Sequence, residues 1–235
     1  MSSDINILFK LIKEDNPYPN SMLKICGELK RVAFFPGGKG TIDNSEDLSN
    51  RKIMILGQDF DCEANYKKAI EIGYEDINRN PTWRKILNIL EASKIPPEEC
   101  FFTNAILGIR KGDNGIGKSP AFLDNRFLNY CREIFIKQVE IQKPKLIIVL
   151  GKYTAIFLAP LHKQLNPWMN FKNFQNIDDN NLQVVKDVPL GNISNINLVL
   201  LTHPSLRHLN IKKRKFNNFS GNEAELEMIK EGLKY

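Results

Sequence analysis

Short apolar runs alternate with amphipathic stretches along this chain. The apolar runs have the length of buried strands and lie at residues 53–56, 100–103, 145–150 and 198–201. Apolar residues with helical spacing occupy residues 4–12, 81–92, 124–141, 152–159 and the stretch from 222 onward. Such alternation is typical of a parallel sheet with helices on both faces. We therefore predict a three-layer α/β/α fold around a central, mostly parallel four-stranded sheet.

In three regions the apolar residues show neither helical nor strand spacing. Residues 16–50 are rich in turn formers, which predicts a long surface excursion with short ordered pieces. Residues 108–120 contain four glycines and a proline and are predicted to be a loop. Residues 162–195 are polar and rich in asparagine, which predicts a loop with one or two minor strands. We expect one domain over residues 1–235, with 1–50 as an N-terminal helix and loop extension.

Composition restricts the class of protein. A chain of 235 residues with 42% hydrophobic residues is large and apolar enough to form one folded core. No apolar run approaches the roughly 18 residues of a membrane helix, and no secretory signal pattern opens the chain. We therefore expect a monomer in the cytoplasm without a membrane partner. The net charge of +6 permits a polyanionic partner such as nucleic acid.

The four cysteines do not form a metal-binding motif. Cys26, Cys62, Cys100 and Cys131 are each more than thirty positions from the next, so neither a Cys-x-x-Cys pair nor a zinc-finger spacing is present. We interpret them as buried or incidental thiols. An iron–sulfur cluster built from all four is the alternative. No metal or organic cofactor is predicted.

Polar residues and glycines follow the predicted strands at the point where each strand ends. These groups are Gly57-Gln58-Asp59, Asn104, Gly151-Lys152 and His203-Pro204-Ser205. In open α/β sheets, ligands bind outside the carboxyl ends of the strands. We therefore expect these groups, which are distant in sequence, to meet at one edge of the sheet.

A carboxylate, an amide and an imidazole at one edge suit the cleavage of a bond to a planar heterocycle. A side-chain amide offers a donor and an acceptor in one plane, which matches the O4 and N3–H edge of uracil. An imidazole can stabilise negative charge on a departing base. A carboxylate can position a water and offset positive charge on a sugar.

The same segments resemble the three motifs of the uracil-DNA glycosylase superfamily. The motifs correspond to Gly57-Gln58-Asp59, Asn104 and His203-Pro204-Ser205, in the family's order. Residues 80–87 resemble the helix after the family's first motif, and residues 145–151 resemble its central strand. The resemblance covers about residues 50–210. It implies the uracil-DNA glycosylase fold, DNA with a damaged base as the partner, and a role in DNA repair.

The resemblance also implies roles for individual residues. Asp59 matches the water-activating aspartate, and His203 matches the histidine that faces O2 of the base; these two are the predicted catalytic residues. Gly57 and Gln58 match positions whose backbone contacts the base, and Asn104 matches the residue that reads the uracil edge.

Further positions are predicted to contact the base or the DNA backbone. Phe60 and Tyr74 are our candidates for the aromatic side chain that the family stacks on the base. Ser205 matches a phosphate-contacting serine, and Leu206 or Arg207 falls where the family has a wedge that fills the gap left by the flipped nucleotide. A basic run follows the last motif and is predicted to meet phosphates: Lys212, Lys213 and Arg214.

The same residues also allow different interpretations. Taken singly, Asp59 reads as a helix cap, Asn104 as a turn residue and His203 as a loop histidine before proline. Asp61 stands where the best-known branch of the family has a tyrosine, which favours a relative with another base preference, such as hypoxanthine or xanthine. A DNA-binding relative without catalysis would fit these residues too, and so would an enzyme for free nucleosides or nucleotides.

Overall fold

A computed structural model describes residues 3–13, 18–25, 27–78 and 80–235. The helices in this part of the chain are α1 (Asp4–Lys13), α2 (Glu63–Ile72), α3 (Pro81–Ala92), α4 (Asn125–Gln142), α5 (Lys152–Leu158), α6 (Phe174–Asp179), α7 (Arg207–Asn210) and α8 (Gly221–Gly232). The strands are β1 (Met22–Lys24), β2 (Ile53–Gly57), β3 (Cys100–Asn104), β4 (Gly108–Arg110), β5 (Leu146–Leu150), β6 (Val184–Leu190), β7 (Ile193–Leu201), β8 (Lys215–Phe216) and β9 (Phe219–Ser220).

The central sheet has the strand order β3-β2-β5-β7-β6. Neighbouring strands from β3 to β7 are parallel, and β6 is antiparallel to β7. The predicted mostly parallel sheet in an α/β/α arrangement is therefore confirmed. The predicted number of four strands is wrong, because residues 184–201 form a hairpin that adds an edge strand. The outer strand β6 is only partly buried, so its sequence lacks the continuous apolar run of an interior strand.

The interior strands are apolar because both of their faces are covered. All five residues of β2 and all five of β5 are buried. Met54 and Leu56 belong to the core on one face, which α1 and α4 cover. Ile53 and Ile55 belong to the core on the other face, under α3 and α8. Successive side chains of a strand point to opposite faces, so one short run supplies both cores.

The N-terminal region differs from its prediction. Within its described residues, Leu29, Phe34, Phe35 and Leu48 are buried, so this region forms part of the core rather than a surface excursion. Strand β1 pairs antiparallel with β4, inside the region predicted to be a loop. These apolar residues occur singly among turn formers, which is why no period revealed them. Residues 16, 17 and 26 lie outside the described part of the chain.

Two long helices lie where they are predicted, α3 over residues 81–92 and α4 within one residue of the predicted 124–141, and both are capped. The Asn80 side chain accepts a hydrogen bond from the Thr82 N–H at the start of α3 (2.8 Å). The Asp124 side chain accepts one from the Phe127 N–H at the start of α4 (2.9 Å). These are standard N-cap bonds. None of the helices in the described residues has the length and apolar character needed to cross a bilayer.

The cysteines in the described chain are free and buried: Cys62, Cys100 and Cys131. Burial raises the pKa of the Cys131 thiol to about 12 and also raises that of Cys100. Cys26, the fourth member of the predicted set, lies outside the described residues.

Candidate active site

The carboxyl ends of the parallel strands place the motif residues at one edge of the sheet. Gly57, the last residue of β2, pairs directly with Asn104, the last residue of β3. Gly151 follows β5, and its N–H donates to the Leu201 carbonyl at the end of β7 (2.9 Å). His203 comes two residues after that strand. This edge therefore carries the residues of all three predicted motifs.

Two glycines allow these residues to approach each other closely. A Cβ on Gly57 would lie 2.5 Å from the Asn104 Oδ1 atom, so a side chain there would displace the amide. Gly151 has a φ of 90°, and a Cβ on it would lie 2.8 Å from the His203 Cβ atom. Only glycine suits that backbone conformation at such a contact.

Asp59 lies just beyond β2 in a buried ion pair with Arg110. The Arg110 Nε atom donates to Asp59 Oδ2 at 2.7 Å, and Nη2 donates to Oδ1 at 3.2 Å. Both side chains are only 5% exposed, and Ser119 hydrogen-bonds the carboxylate as well. Burial raises the pKa of Asp59 above its usual range, while the adjacent guanidinium acts in the opposite direction.

Arg110 also fastens the 111–119 loop over this edge. Its Nη1 donates to the Ile116 carbonyl at 2.9 Å, and its Nη2 donates to the Gly117 carbonyl at 3.0 Å. The Gln58 Nε2 atom donates to the same Gly117 carbonyl at 3.0 Å. Sequence reasoning missed Arg110 because it lies in a glycine-rich region without a period. A lone arginine six residues after the Asn104 motif gave no signal of its own.

His203 is held in one orientation by its own loop. Its Nδ1 lies 2.7 Å from the Ser205 Oγ and accepts a hydrogen bond from the Ser205 N–H at 3.3 Å. An Nδ1 that accepts leaves the proton on Nε2. Burial, together with the positive charges of Arg110 and Lys85, lowers the pKa of His203 to about 4. Lys85 also reaches the loop, since its Nζ donates to the Pro204 carbonyl at 2.8 Å.

The two predicted base-stacking residues have other contacts. Phe60 is buried edge-on against Tyr66, and its ring packs so closely on Gly37 that a Cβ there would lie 2.3 Å away. Tyr74 lies beside the Arg31 guanidinium, 5.8 Å from its ring centre. Neither of these packing contacts involves Asn104 or His203. Both side chains are thus accounted for by packing elsewhere.

An aromatic side chain that sequence reasoning missed, Phe34, borders this edge. Its Cε1 would lie 3.6 Å from a Cβ on Gly57, and the ring packs against Trp83 and Phe102. The Phe34 N–H donates to the Glu75 carboxylate at 2.9 Å. Burial raises the pKa of Glu75 to about 7. Because Phe34 precedes the first motif by more than twenty residues, no local pattern connected it to the site.

The residues predicted to contact DNA divide into two groups. Ser205, Leu206, Lys212 and Lys213 are exposed. Arg214 is fully buried, and the prediction that it binds DNA is wrong. Its Nε donates to Asp178 at 3.0 Å and its Nη1 donates to Glu225 at 3.1 Å, so its charge is used inside the fold.

Arg207 is also engaged within the fold. It forms an ion pair with Glu225, and its Nη1 and Nη2 atoms donate to Thr202 Oγ1 (3.1 Å) and Asn222 Oδ1 (2.8 Å). Of the two predicted wedge positions, Leu206 is therefore the one whose side chain projects outward, with 39% of its surface exposed.

Comparison with known proteins agrees with this geometry. The family model of the Uracil DNA glycosylase superfamily matches residues 46–226, which include every motif residue described above. A search of curated proteins found no match.

Proposed function

The chain belongs to the uracil-DNA glycosylase superfamily, and we propose that it is a DNA-repair enzyme that hydrolyses the N-glycosidic bond of a flipped uracil. The observation that carries this proposal is the sheet edge at which Asp59, Asn104 and the His203 loop lie. Such an edge is where α/β sheets bind ligands. The three side chains together supply the groups that base recognition and bond cleavage require.

Asn104 would read the base. Its side chain is 4% exposed and lies against Gly57, which limits its movement. An amide fixed in one plane can donate to O4 of uracil and accept from its N3–H. Cytosine presents the inverse pattern at these positions, so the same amide would reject it.

Asp59 and His203 would share the chemistry. The buried carboxylate would position a water and offset positive charge that develops on the sugar. A neutral His203 with its proton on Nε2 would donate a hydrogen bond to O2 as negative charge builds on the leaving base. Because the pKa of His203 is about 4, we expect it to remain neutral throughout the physiological range.

The exposed residues after His203 would bind the DNA. A base inside a duplex has to be extruded before it can enter such a site. Leu206 would fill the vacated space, and Ser205, Lys212 and Lys213 would contact phosphates. Binding of this kind is mainly electrostatic and weakens steeply with salt.

One observation favours a second candidate, a glycosylase with another base preference. Asp61, which takes the place of the family tyrosine, has a φ of 76°, and its carboxylate accepts from the Asn65 Nδ2 atom at 2.8 Å. A carboxylate at this position cannot supply the aromatic ring that the family tyrosine places against C5 of uracil. Hypoxanthine or xanthine would then be the substrate to test.

The test is an incision assay on single- and double-stranded oligonucleotides that carry one uracil, followed by alkaline cleavage of abasic sites. We expect cleavage at uracil and none at cytosine in the same position. An Asp59→Asn variant controls for contaminating enzymes. A panel with hypoxanthine or xanthine at that position separates the second candidate. Salt-dependent binding without release of any base would contradict both.

A further inference from the structure

We propose that Arg110 is a positioning residue for Asp59: its guanidinium holds the carboxylate in one orientation and in its ionised form. This inference rests on the proposed function, since it concerns the group that would position the attacking water. Arg110 itself touches no reacting atom in this scheme and would act only through Asp59.

The geometry fixes the carboxylate in two directions. Each Asp59 oxygen accepts from a different Arg110 nitrogen, Nε at 2.7 Å and Nη2 at 3.2 Å. A two-point contact of this kind prevents rotation about the last side-chain bond. The guanidinium is fixed in turn, because Nη1 and Nη2 also donate to the Ile116 and Gly117 carbonyls. Its N–H groups are thus shared between the carboxylate and the backbone of the 111–119 loop.

The electrostatic surroundings make Arg110 the cation that matters for Asp59. Ser119 is a neutral partner in the same loop, and His203 at the end of β7 is neutral above about pH 4. Asp61, two residues further on, is a further acid. Lys85, from α3, acts on His203 and donates to the Pro204 carbonyl. A carboxyl group that is 5% exposed favours its protonated form unless a neighbouring cation opposes it.

Two substitutions separate charge from geometry. Arg110→Gln removes the positive charge and the two-point contact together. Arg110→Lys keeps a positive charge but replaces the planar fork with a single ammonium group. If Arg110 acts as proposed, both variants lose rate, but only the glutamine variant changes the protonation of Asp59.

The first measurement is the pH profile of uracil release under single-turnover conditions. We expect Arg110→Gln to lower the rate at pH 7 by about 100-fold and to move the acid limb upward by about one pH unit or more. Arg110→Lys should lose about tenfold in rate, a smaller part of the same orientation effect, while its acid limb stays near that of the parent. Arg126→Gln, an exposed arginine at the start of α4, is the matched control and should leave both unchanged.

The second measurement does not depend on activity. With carbon-13 in the aspartate carboxyl groups, the Asp59 signal is identified by its loss in Asp59→Asn and then titrated by NMR. Its midpoint should rise in Arg110→Gln and stay near the parent value in Arg110→Lys. Circular dichroism verifies that each variant is folded.

The outcomes are distinct. An unchanged acid limb and an unchanged Asp59 midpoint in folded Arg110→Gln would overturn the proposal, even if the rate fell. If Arg110→Gln does not fold, a rate of uracil release in folded Arg110→Lys equal to that of the parent would overturn it instead. A parent protein that releases no base would refute the proposed function, whereas the NMR titration would still decide whether Arg110 keeps Asp59 ionised.

Discussion

The two halves of the sheet edge use their charged groups in opposite ways. At the end of β2, Asp59 and Arg110 neutralise each other in a buried pair under the 111–119 loop. Beyond β7, the 203–213 segment turns Ser205, Leu206 and the lysines 212 and 213 toward solvent. The first half, together with the His203 imidazole that opens the 203–213 segment, is suited to chemistry, because these groups are fixed before a substrate arrives. The second is suited to contact with a large polyanion.

The second half, the exposed 203–213 segment, is nevertheless anchored by buried charges. Arg214 directly follows the 203–213 segment and pairs with Asp178 and Glu225. Arg207 pairs with the same Glu225 from within the segment. Lys213 and Arg214 are thus neighbours in sequence with opposite roles, one facing solvent and one inside the core. The position of a charge in the fold, rather than its presence in a basic run, determines what it does.

The largest effect should follow from a substitution in the buried first half, which contains the Asp59–Arg110 pair. Asp59→Asn removes the negative charge but keeps the size of the side chain, so base release should fall by about 100- to 10,000-fold. DNA affinity should change little, because phosphates are contacted elsewhere. Single-turnover release and fluorescence anisotropy measure the two quantities.

Asp113→Asn, an exposed residue of the 111–119 loop, is the control for this variant and should release uracil at the parent rate. Parent-like release by Asp59→Asn would show that the buried pair is structural only, and the contrast between the two halves would lose its functional meaning.

The anchor of the exposed half should matter for stability. Arg214→Met leaves Asp178 and Glu225 without their shared partner, and breaking a buried ion pair in this way costs about 3–5 kcal/mol of unfolding free energy. Lys213→Met, one residue earlier and exposed, should change that free energy by less than about 0.5 kcal/mol. Urea unfolding followed by tryptophan fluorescence compares the two. Equal effects would contradict the distinction between anchor and contact surface.

The sequence predicted the parts of the molecule that depend on continuous patterns. Interior strands such as residues 53–56 and 145–150 are apolar nearly throughout because helices cover both of their faces. A continuous apolar run of this length predicts such a strand from the sequence alone. Capped amphipathic helices such as 81–92 were equally visible. Since parallel strands end at one edge, the meeting of Asn104 with the first motif followed from the topology.

The remaining parts depend on contacts between distant residues. Arg110 lies beside Asp59 because its N–H donates to the Asp61 carbonyl at 3.0 Å, while β4 pairs on its other side with β1, a strand of three residues in the N-terminal region. Phe34 reaches Gly57 from the same region. Arg214 looked like a surface charge, since the acids that bury it lie 36 and 11 residues away. Pairings of this kind leave no local period, so they could not be inferred without coordinates.

A smaller effect is expected at Asn104, which ends β3 and lies beside Gly57 in the first half. Asn104→Ala removes the amide that would read the base and should lower the efficiency of uracil release by about 5- to 150-fold, the equivalent of 1–3 kcal/mol. Because neither asparagine nor alanine has a titratable side chain, the shape of the pH profile should stay that of the parent. The rate of uracil release, measured as a function of the concentration of uracil-containing oligonucleotide at several pH values, tests both statements. Full efficiency in the variant would remove Asn104 from the recognition site.

The smallest effect per residue should come from the exposed lysines. Replacing Lys212 and Lys213 with glutamine removes two phosphate contacts, so the slope of log affinity against log salt should become shallower by about 1.5, at roughly 0.7–0.9 per contact. The single-turnover rate at saturating DNA and the unfolding free energy should not change, since neither lysine takes part in the buried pairs. Lys163→Gln combined with Lys172→Gln, two exposed lysines outside the 203–213 segment, is the control. An identical salt slope in parent and variant would mean that DNA is bound by another surface, whereas a lower rate at saturation would mean that the exposed half also shapes the site.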